Sequence, residues 1–136
     1  MMKLFFYGFF MDVDILAKKG ITPKNVTAGW VDDFAVRISE RATLVREVGG
    51  RVYGLAMDIA TNDAEALYSA DSVADYEPES LSVNTLDGKR IEAICYNLPA
   101  EKIVGENKEY AKKLFALAEK LDFPGSYTDQ IKQAAQ

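Results

Sequence analysis

The sequence predicts an α+β fold, in which short antiparallel strands form a small curled barrel or sheet and a few helices pack against it. Segments rich in Val, Thr and aromatic residues, separated by turn-forming residues, fill the first two thirds of the chain. A helical, amphipathic period replaces them in the last third. The composition, 49% apolar and 27% charged, is that of an ordinary globular protein, and 136 residues suit one domain spanning 1–136.

The N-terminal segment predicts a strand followed by a short helix. The strand is expected over residues 3–9, where "KLFFYGF" is almost continuously apolar. Asp12 is placed to cap a helix in "VDILAKK", and Gly20 is placed to end it. The next segment, "NVTAGWVDDFAVRIS", predicts one long bent strand or two strands.

Two hairpins are predicted in the middle of the chain. The strands "ATLVREV" and "RVYGLAMDIA" flank Gly49 and Gly50, which are expected to form the first turn. The second hairpin lies in "ESLSVNTLDGKRIEAICYNL" and is expected to turn at Asp87 and Gly88. Between the hairpins, Thr61 or Asn62 is expected to cap a helix through "DAEALYSA".

The C-terminal third predicts two helices. In "NKEYAKKLFALAEKL" apolar residues recur at helical spacing with Lys and Glu between them, as in an amphipathic helix lying on a sheet. Phe123-Pro124-Gly125 breaks this pattern, and a second short helix is expected over "SYTDQIKQ".

Charge and hydropathy argue against two classes of partner. The chain has 21 acidic and 16 basic residues, a net charge of −5, and no basic cluster larger than a pair. Nucleic-acid-binding proteins normally have a basic face, so no nucleic-acid partner is expected. The longest apolar run, Leu4–Met11, is too short to span a bilayer, and no small-residue cleavage pattern follows it. We therefore expect a cytoplasmic protein that does not bind membranes.

The absence of His and the presence of one Cys narrow the chemistry. They exclude His-based catalysis, an intrachain disulfide and Cys-rich metal sites. No loop has calcium-ligand spacing, so no metal or other cofactor is expected. Any catalysis would depend on carboxylates, Tyr, Lys, Ser or Thr hydroxyls, or backbone dipoles.

Gly8 stands between Tyr7 and Phe9, where the first predicted strand ends. A glycine in a strand weakens it and often marks a bulge or a close approach to the backbone. Two interpretations are open: Gly8 relieves a bend among large aromatic residues, or it lets a ligand reach the main chain.

Several stretches, in order along nearly the whole chain, resemble the γ-glutamylcyclotransferase-like (AIG2-like) family. Members open with a strand that ends in a Tyr-Gly-Ser/Thr-Leu/Asn signature and carry a central helix with a Leu-Asp-x-x-Glu-Gly pattern. The similar stretches are "FFYGFFMD", "AGWVDDFAV", "RVYGLAMDI", "LYSADSVADYEPESLSV" and "EYAKKLFALAEKLDFPGSYTDQI". The resemblance implies the α+β barrel of that family.

The reaction implied by the resemblance is an intramolecular aminolysis. The free α-amine of a γ-glutamyl group attacks its own side-chain carbonyl, giving 5-oxoproline and releasing a small amine or peptide. Such an enzyme needs a pocket that folds the glutamyl chain, N–H groups for the substrate carboxylate and the developing oxyanion, and a carboxylate that transfers protons. None of these requires His, Cys or a metal.

Motif matching places the catalytic Glu of the family at Asp71 of this chain. The Asp carboxylate is set back by one methylene, about 1.5 Å, and a misplacement of about 1 Å can cost on the order of a hundredfold in rate. A small shift of the match would place the base at Asp75, Glu77 or Glu79 instead.

The family also implies a set of substrate-binding positions. The loop after Tyr-Gly offers backbone amides to the substrate, and the small or polar residues usual there are Phe9 and Phe10 in this chain. An inward-facing Phe9 would narrow the pocket. The positions assigned to substrate binding are Tyr7, Gly8, Phe9, Phe10, Tyr76 and Tyr127.

These departures leave two hypotheses open. One is a cyclotransferase that acts on a small γ-glutamyl substrate with Asp71 as general acid and base. The other is a catalytically degenerate relative that binds a small carboxylate without turnover. The sequence indicates neither the leaving amine nor the oligomeric state.

Overall fold

A computed structural model describes residues 1–70 and 73–135. Within these residues the strands close into a five-stranded barrel in the order β1-β3-β2-β4-β5. Helices flank the barrel, so the predicted α+β class with a small curled barrel is confirmed. The strands are β1 (Met2–Phe6), β2 (Lys24–Ile38), β3 (Ala42–Ile59), β4 (Glu77–Thr85) and β5 (Arg90–Asn97).

The barrel is not antiparallel throughout, which corrects the expectation from the sequence. β1 pairs in parallel with β5 through Leu4 and Ile94, whereas its other neighbour, β3, is antiparallel. A closed ring with an odd number of strands cannot alternate direction at every step. At least one parallel pair is therefore unavoidable.

Four α-helices and two short 3₁₀ turns connect and flank the strands of the described part. As predicted, the Asp12 carboxylate caps the first helix by accepting a hydrogen bond from the Asp14 amide at 3.0 Å. The expected cap at Thr61 or Asn62 is wrong, because the chain passes from β3 through Ala60 directly into a helix that begins at Thr61 without a side-chain cap. The helices are α1 (Val13–Lys18), α2 (Thr61–Leu67), α3 (Lys108–Lys120) and α4 (Gly125–Ala134), and the 3₁₀ turns are Phe9–Met11 and Ala100–Lys102.

The predicted turn at Gly49 and Gly50 is also wrong. β3 continues through both glycines, and the chain reverses instead at residues 39–41. The register shifts between Asp32 and Phe34 of β2, and the Asp33 carboxylate accepts a hydrogen bond from the Gly49 amide at 3.0 Å. Gly49 has φ +82°, so the glycines form a bulge within a long strand. The second predicted turn, at Asp87 and Gly88, is confirmed between β4 and β5.

The barrel closes where β2 meets β4. These strands pair only at Gly29 with Thr85 and at Trp30 with Asn84. A Cβ atom at Gly29 would lie 2.5 Å from the carbonyl oxygen of Asn84, well inside van der Waals contact. The missing side chain therefore allows the two strands to approach closely enough to complete the ring.

We expect Gly29→Ala to destabilise the protein by ~1–3 kcal/mol, the usual cost of overpacking, because its methyl group would push against backbone. Urea unfolding would measure the change. Gly125→Ala is the matched control, since a Cβ at Gly125 meets nothing within 4 Å, and it should leave the free energy of unfolding equal or slightly higher. Equal unfolding midpoints for the two variants would show that the β2–β4 contact does not limit stability.

Candidate functional site

A cavity of about 280 Å³ lies where the chain leaves β1. Aromatic residues supply nine of the fourteen described residues that line it, so its wall is largely apolar. Small-molecule sites are typically apolar hollows with a few polar groups. The aromatic lining residues are Phe5, Phe6, Tyr7, Phe9, Phe10, Tyr68, Tyr76, Tyr96 and Tyr110.

The turn after β1 borders this cavity and includes backbone amides without a backbone acceptor among the described residues. Met11 and Asp12 donate their amides to the carbonyls of Gly8 and Phe9 at 3.0 and 2.9 Å, which forms the 3₁₀ turn. Within the described residues, no backbone carbonyl accepts from the amides of Phe9 or Phe10. The first amides of a helical turn lack partners within the turn, and such groups can hold an anion.

Gly8 is in close contact with α3. A Cβ atom at Gly8 would lie 3.1 Å from the hydroxyl oxygen of Tyr110. The Phe9 ring lies against the Tyr110 ring, with centroids 4.3 Å apart, and both residues line the cavity. Burial raises the pKa of the Tyr110 hydroxyl, and the nearby Phe9 N–H partly offsets that rise. The absence of a side chain at Gly8 therefore allows the Tyr110 hydroxyl to approach the backbone closely.

Hydrogen bonds and ring contacts hold the tyrosines of the wall. The Tyr7 hydroxyl donates to the Tyr96 carbonyl at 2.8 Å, and the Tyr76 hydroxyl donates to the carbonyl of Ala42. Tyr68 stacks on Tyr96 with centroids 3.8 Å apart. Burial raises the pKa of Tyr76 to about 12 and raises the pKa values of Tyr7 and Tyr68 further. These phenols are therefore neutral at physiological pH.

Glu40 and Arg41 are the two charged residues among the described lining of the cavity. Both lie in the turn between β2 and β3. The guanidinium of Arg41 is 3.2 Å from the carboxylate of Asp75 and 5.8 Å from the centre of the Tyr76 ring. Glu40 is exposed at the edge of the cavity. Two polar side chains thus border an otherwise aromatic hollow.

The structure brings most of the predicted substrate-binding residues to one place. Tyr7, Gly8, Phe9, Phe10 and Tyr76 all line the cavity. The predicted catalytic residue, Asp71, lies outside the described residues.

Tyr127 lies elsewhere and does not line the cavity. Its side chain is 2% exposed, and its ring centroid lies 5.6 Å from that of Tyr53 and 6.1 Å from that of Phe123. The position that the resemblance assigned to substrate binding is therefore part of the packing between α4 and the barrel.

The three alternative carboxylates do not line the described cavity either. Asp75 pairs with Arg41 and lies 4.0 Å from Lys102. The Glu79 carboxylate accepts a hydrogen bond from the side-chain amide of Asn97 at 2.6 Å. Glu77 is exposed. None of the three therefore lines the described part of the cavity.

Sequence reasoning missed Glu40, Arg41 and Tyr110. Tyr110 begins the last stretch that carries the family resemblance, so the sequence did contain a signal for it. Glu40 and Arg41 gave none, because the turn was expected eight or more residues further on, at Gly49 and Gly50. Only the true position of the turn brings them to the cavity.

Neither a membrane-spanning helix nor a metal-binding cluster is present among the described residues. No helix there is long and apolar enough to cross a membrane. No group of three or more Cys, Asp or Glu side chains there is arranged to hold a metal ion.

The barrel with its flanking helices is the γ-glutamylcyclotransferase-like fold, as similarity to solved structures shows. A γ-glutamyl cyclotransferase matches with a TM-score of 0.74 at 17% identity, over 96% of this chain and 86% of its own. A yeast γ-glutamyl cyclotransferase specific to glutathione matches with a TM-score of 0.72 at 10% identity, over 98% of this chain and 95% of its own. YkqA from Bacillus subtilis matches with a TM-score of 0.78 at 19% identity, over 98% of this chain and 54% of its own. No family model and no curated protein matches the sequence.

We expect the buried tyrosines to make the fold sensitive to alkali. Burial favours the neutral phenol. Each buried tyrosine therefore makes its full contribution to the free energy of unfolding at pH values below the ordinary tyrosine pKa of about 10. That contribution is lost as the pH rises through the folded-state values, about 12 for Tyr76. The groups whose pKa is raised are Tyr7, Tyr68, Tyr76, Tyr110 and Tyr127.

Near-ultraviolet absorbance of tyrosinate, followed together with circular dichroism, tests this expectation. The buried tyrosines should ionise in one steep step that coincides with loss of secondary structure. Gradual ionisation of all tyrosines near pH 10, with the fold intact, would contradict the burial described above.

Proposed function

We propose that this protein is an enzyme that releases 5-oxoproline from a small γ-glutamyl amine or peptide. The observation that carries the proposal is the aromatic cavity bordered by the Tyr7–Phe10 segment, in a chain with the γ-glutamylcyclotransferase-like fold. The cavity volume, about 280 Å³, suits a small substrate.

The reaction conserves its atoms without a second reactant. The neutral α-amine nitrogen of the substrate attacks the γ-carbonyl carbon, and a five-membered ring forms with negative charge on the carbonyl oxygen. The bond between that carbon and the leaving nitrogen then breaks. The attacking nitrogen loses one proton as it becomes the lactam nitrogen, and the leaving nitrogen gains one proton, so the products are 5-oxoproline and a free amine.

The cavity wall favours this cyclisation in two ways. Stacked rings such as Tyr68 and Tyr96 form a rigid wall, which can hold the glutamyl chain folded so that the amine meets the carbonyl; effects of this kind contribute several powers of ten in rate. The apolar lining also displaces water, which strengthens each electrostatic interaction inside.

The amides of Phe9 and Phe10 are the proposed anion cradle. They lie at the start of the 3₁₀ turn and have no backbone acceptor among the described residues. The Phe9 N–H also faces the Tyr110 hydroxyl oxygen, which a bound anion would replace. In this role they would bind the substrate carboxylate or the developing oxyanion. The Tyr76 hydroxyl is already donated to Ala42, so we assign Tyr76 to the shape of the cavity.

Asp71 is the proposed general acid and base, by its match to the family motif. Asp75 pairs with Arg41, and Glu79 accepts from the Asn97 side chain, so the assignment of Asp71 rests on the motif match. The alternative function is ligand binding without turnover. It is favoured by the Phe9 ring, which forms part of the cavity wall.

We expect Asp71→Asn to lower kcat for 5-oxoproline release by about a hundredfold or more, the usual contribution of a general acid or base. Asp71→Glu should keep or raise kcat, because the longer side chain restores the reach of the family's Glu. Chromatographic measurement of 5-oxoproline from a panel of γ-glutamyl compounds would report both effects. Glu77→Gln is the matched control, since it removes an exposed carboxylate from a nearby position.

Two outcomes would contradict this assignment. Full activity in Asp71→Asn would remove Asp71 from the mechanism. Absence of 5-oxoproline from every compound, combined with a melting temperature raised by a glutamate-like ligand, would favour the binding function.

We expect Gly8→Ala to lower kcat/KM by about tenfold or more, or ~1.4 kcal/mol, because its methyl group would crowd the Tyr110 hydroxyl and the adjacent amides. Thermal unfolding of the same variant separates this effect from misfolding. Unchanged kcat/KM in a folded Gly8→Ala protein would contradict the proposal that the Phe9 and Phe10 amides bind an anion.

A further inference from the structure

Glu40 is held at the edge of the cavity by its own backbone. Its amide donates to the carbonyl of Val104 at 3.0 Å, and its carbonyl accepts from the Asn107 side chain at 3.3 Å. Asn107 also caps α3, by accepting a hydrogen bond from the Tyr110 amide at 3.0 Å. The position of Glu40 is therefore fixed relative to the helix that supplies Tyr110 to the cavity.

The side-chain stem of Glu40 rests against a glycine. A Cβ atom at Gly105 would lie 3.0 Å from the Cγ atom of Glu40. A larger residue at 105 would push this stem aside. The loop before α3 is thus shaped to keep the Glu40 side chain along the cavity edge.

The charges at this edge are unevenly paired, because Arg41 and Lys102 both face the Asp75 carboxylate. Arg41 is engaged by Asp75 at 3.2 Å. The carboxylate of Glu40 forms no ion pair with any of the described residues. A ligand that extends from the cavity to its edge meets a carboxylate whose charge no described cation neutralises.

The neighbouring wall also favours positive charge. The faces of aromatic rings attract cations, most strongly where water is displaced. Phe9, Tyr68, Tyr76, Tyr96 and Tyr110 line the same cavity as Glu40. Aromatic faces combined with a carboxylate form a suitable site for an alkylammonium group.

We propose that Glu40 is a specificity-determining residue that favours γ-glutamyl amines whose amine part carries a second, positively charged nitrogen. This inference rests on the proposed function, with the glutamyl group at the Gly8–Phe10 turn and the amine part directed to the edge of the cavity. The carboxylate attracts the ammonium group of a diamine and repels the carboxylate of a peptide. Glu40 touches the departing part of the substrate and takes no proton in the reaction.

Three substrates of similar length isolate the effect of charge: γ-glutamyl-putrescine, γ-glutamyl-pentylamine and γ-glutamyl-aminobutyrate, whose amine parts are positive, neutral and negative. We expect kcat/KM to fall in that order for the natural sequence. In Glu40→Gln, the ratio of kcat/KM for the positive compound to that for the neutral one should fall about fivefold, as for the loss of a partly exposed charge pair. In Glu40→Gln the KM for the positive compound should rise more than kcat falls. High salt should weaken the preference of the natural sequence for the positive compound.

Glu106→Gln is the matched control. Glu106 is an exposed carboxylate beside Gly105 in the loop before α3, and it is not among the described residues that line the cavity. This variant changes the net charge equally and should leave the substrate order unchanged. An unaltered ratio in Glu40→Gln, or an equal loss in Glu106→Gln, would overturn the proposal.

Failure of the reaction is distinguishable from failure of this inference. If none of the three compounds yields 5-oxoproline, the proposed function fails, and calorimetric titration of the same compounds into both proteins decides the role of Glu40. Tighter binding of the positive compound that is lost in Glu40→Gln would support it. Equal binding of all three, or no binding, would overturn it.

Discussion

The parallel pairing of β1 with β5 is the constraint on which the rest of the structure depends. Five strands can close into a ring only if one pair breaks the alternation, and here that pair joins Leu4 to Ile94. The pairing sets the end of β1 beside the end of β5, where Tyr7 reaches the Tyr96 carbonyl at 2.8 Å. The chain must then turn away from the barrel, and the cavity lies at that turn.

The aromatic wall explains how so few polar groups can define a site. Large rings pack with defined geometry, as Tyr68 does on Tyr96, and they line a largely apolar hollow. In such surroundings backbone amides and a single carboxylate act more strongly than they would in water. The proposed acyl chemistry therefore depends on neither His, which the sequence lacks, nor Cys95, which is buried.

The sequence predicted correctly several features that depend on interactions between residues close together in the chain. The Asp12 cap, the turn at Asp87 and Gly88, and the amphipathic helix α3 depend on neighbours in sequence, and the structure has all three. The turn predicted at Gly49 and Gly50 was wrong because a pair of glycines suits a bulge as well as a turn. The hydrogen bond from the Gly49 amide to the Asp33 carboxylate, between distant parts of the sequence, favours the bulge. Tertiary contacts, which sequence spacing does not encode, bring Glu40 to the cavity.

The two hydrogen bonds of Asn107 have a consequence for local dynamics. One amide side chain joins the first turn of α3 to the backbone of the β2–β3 turn, so fraying of the helix start and release of that turn are one event. Local openings occur in such cooperative units. Amide protons on both segments should therefore exchange with solvent at a common rate.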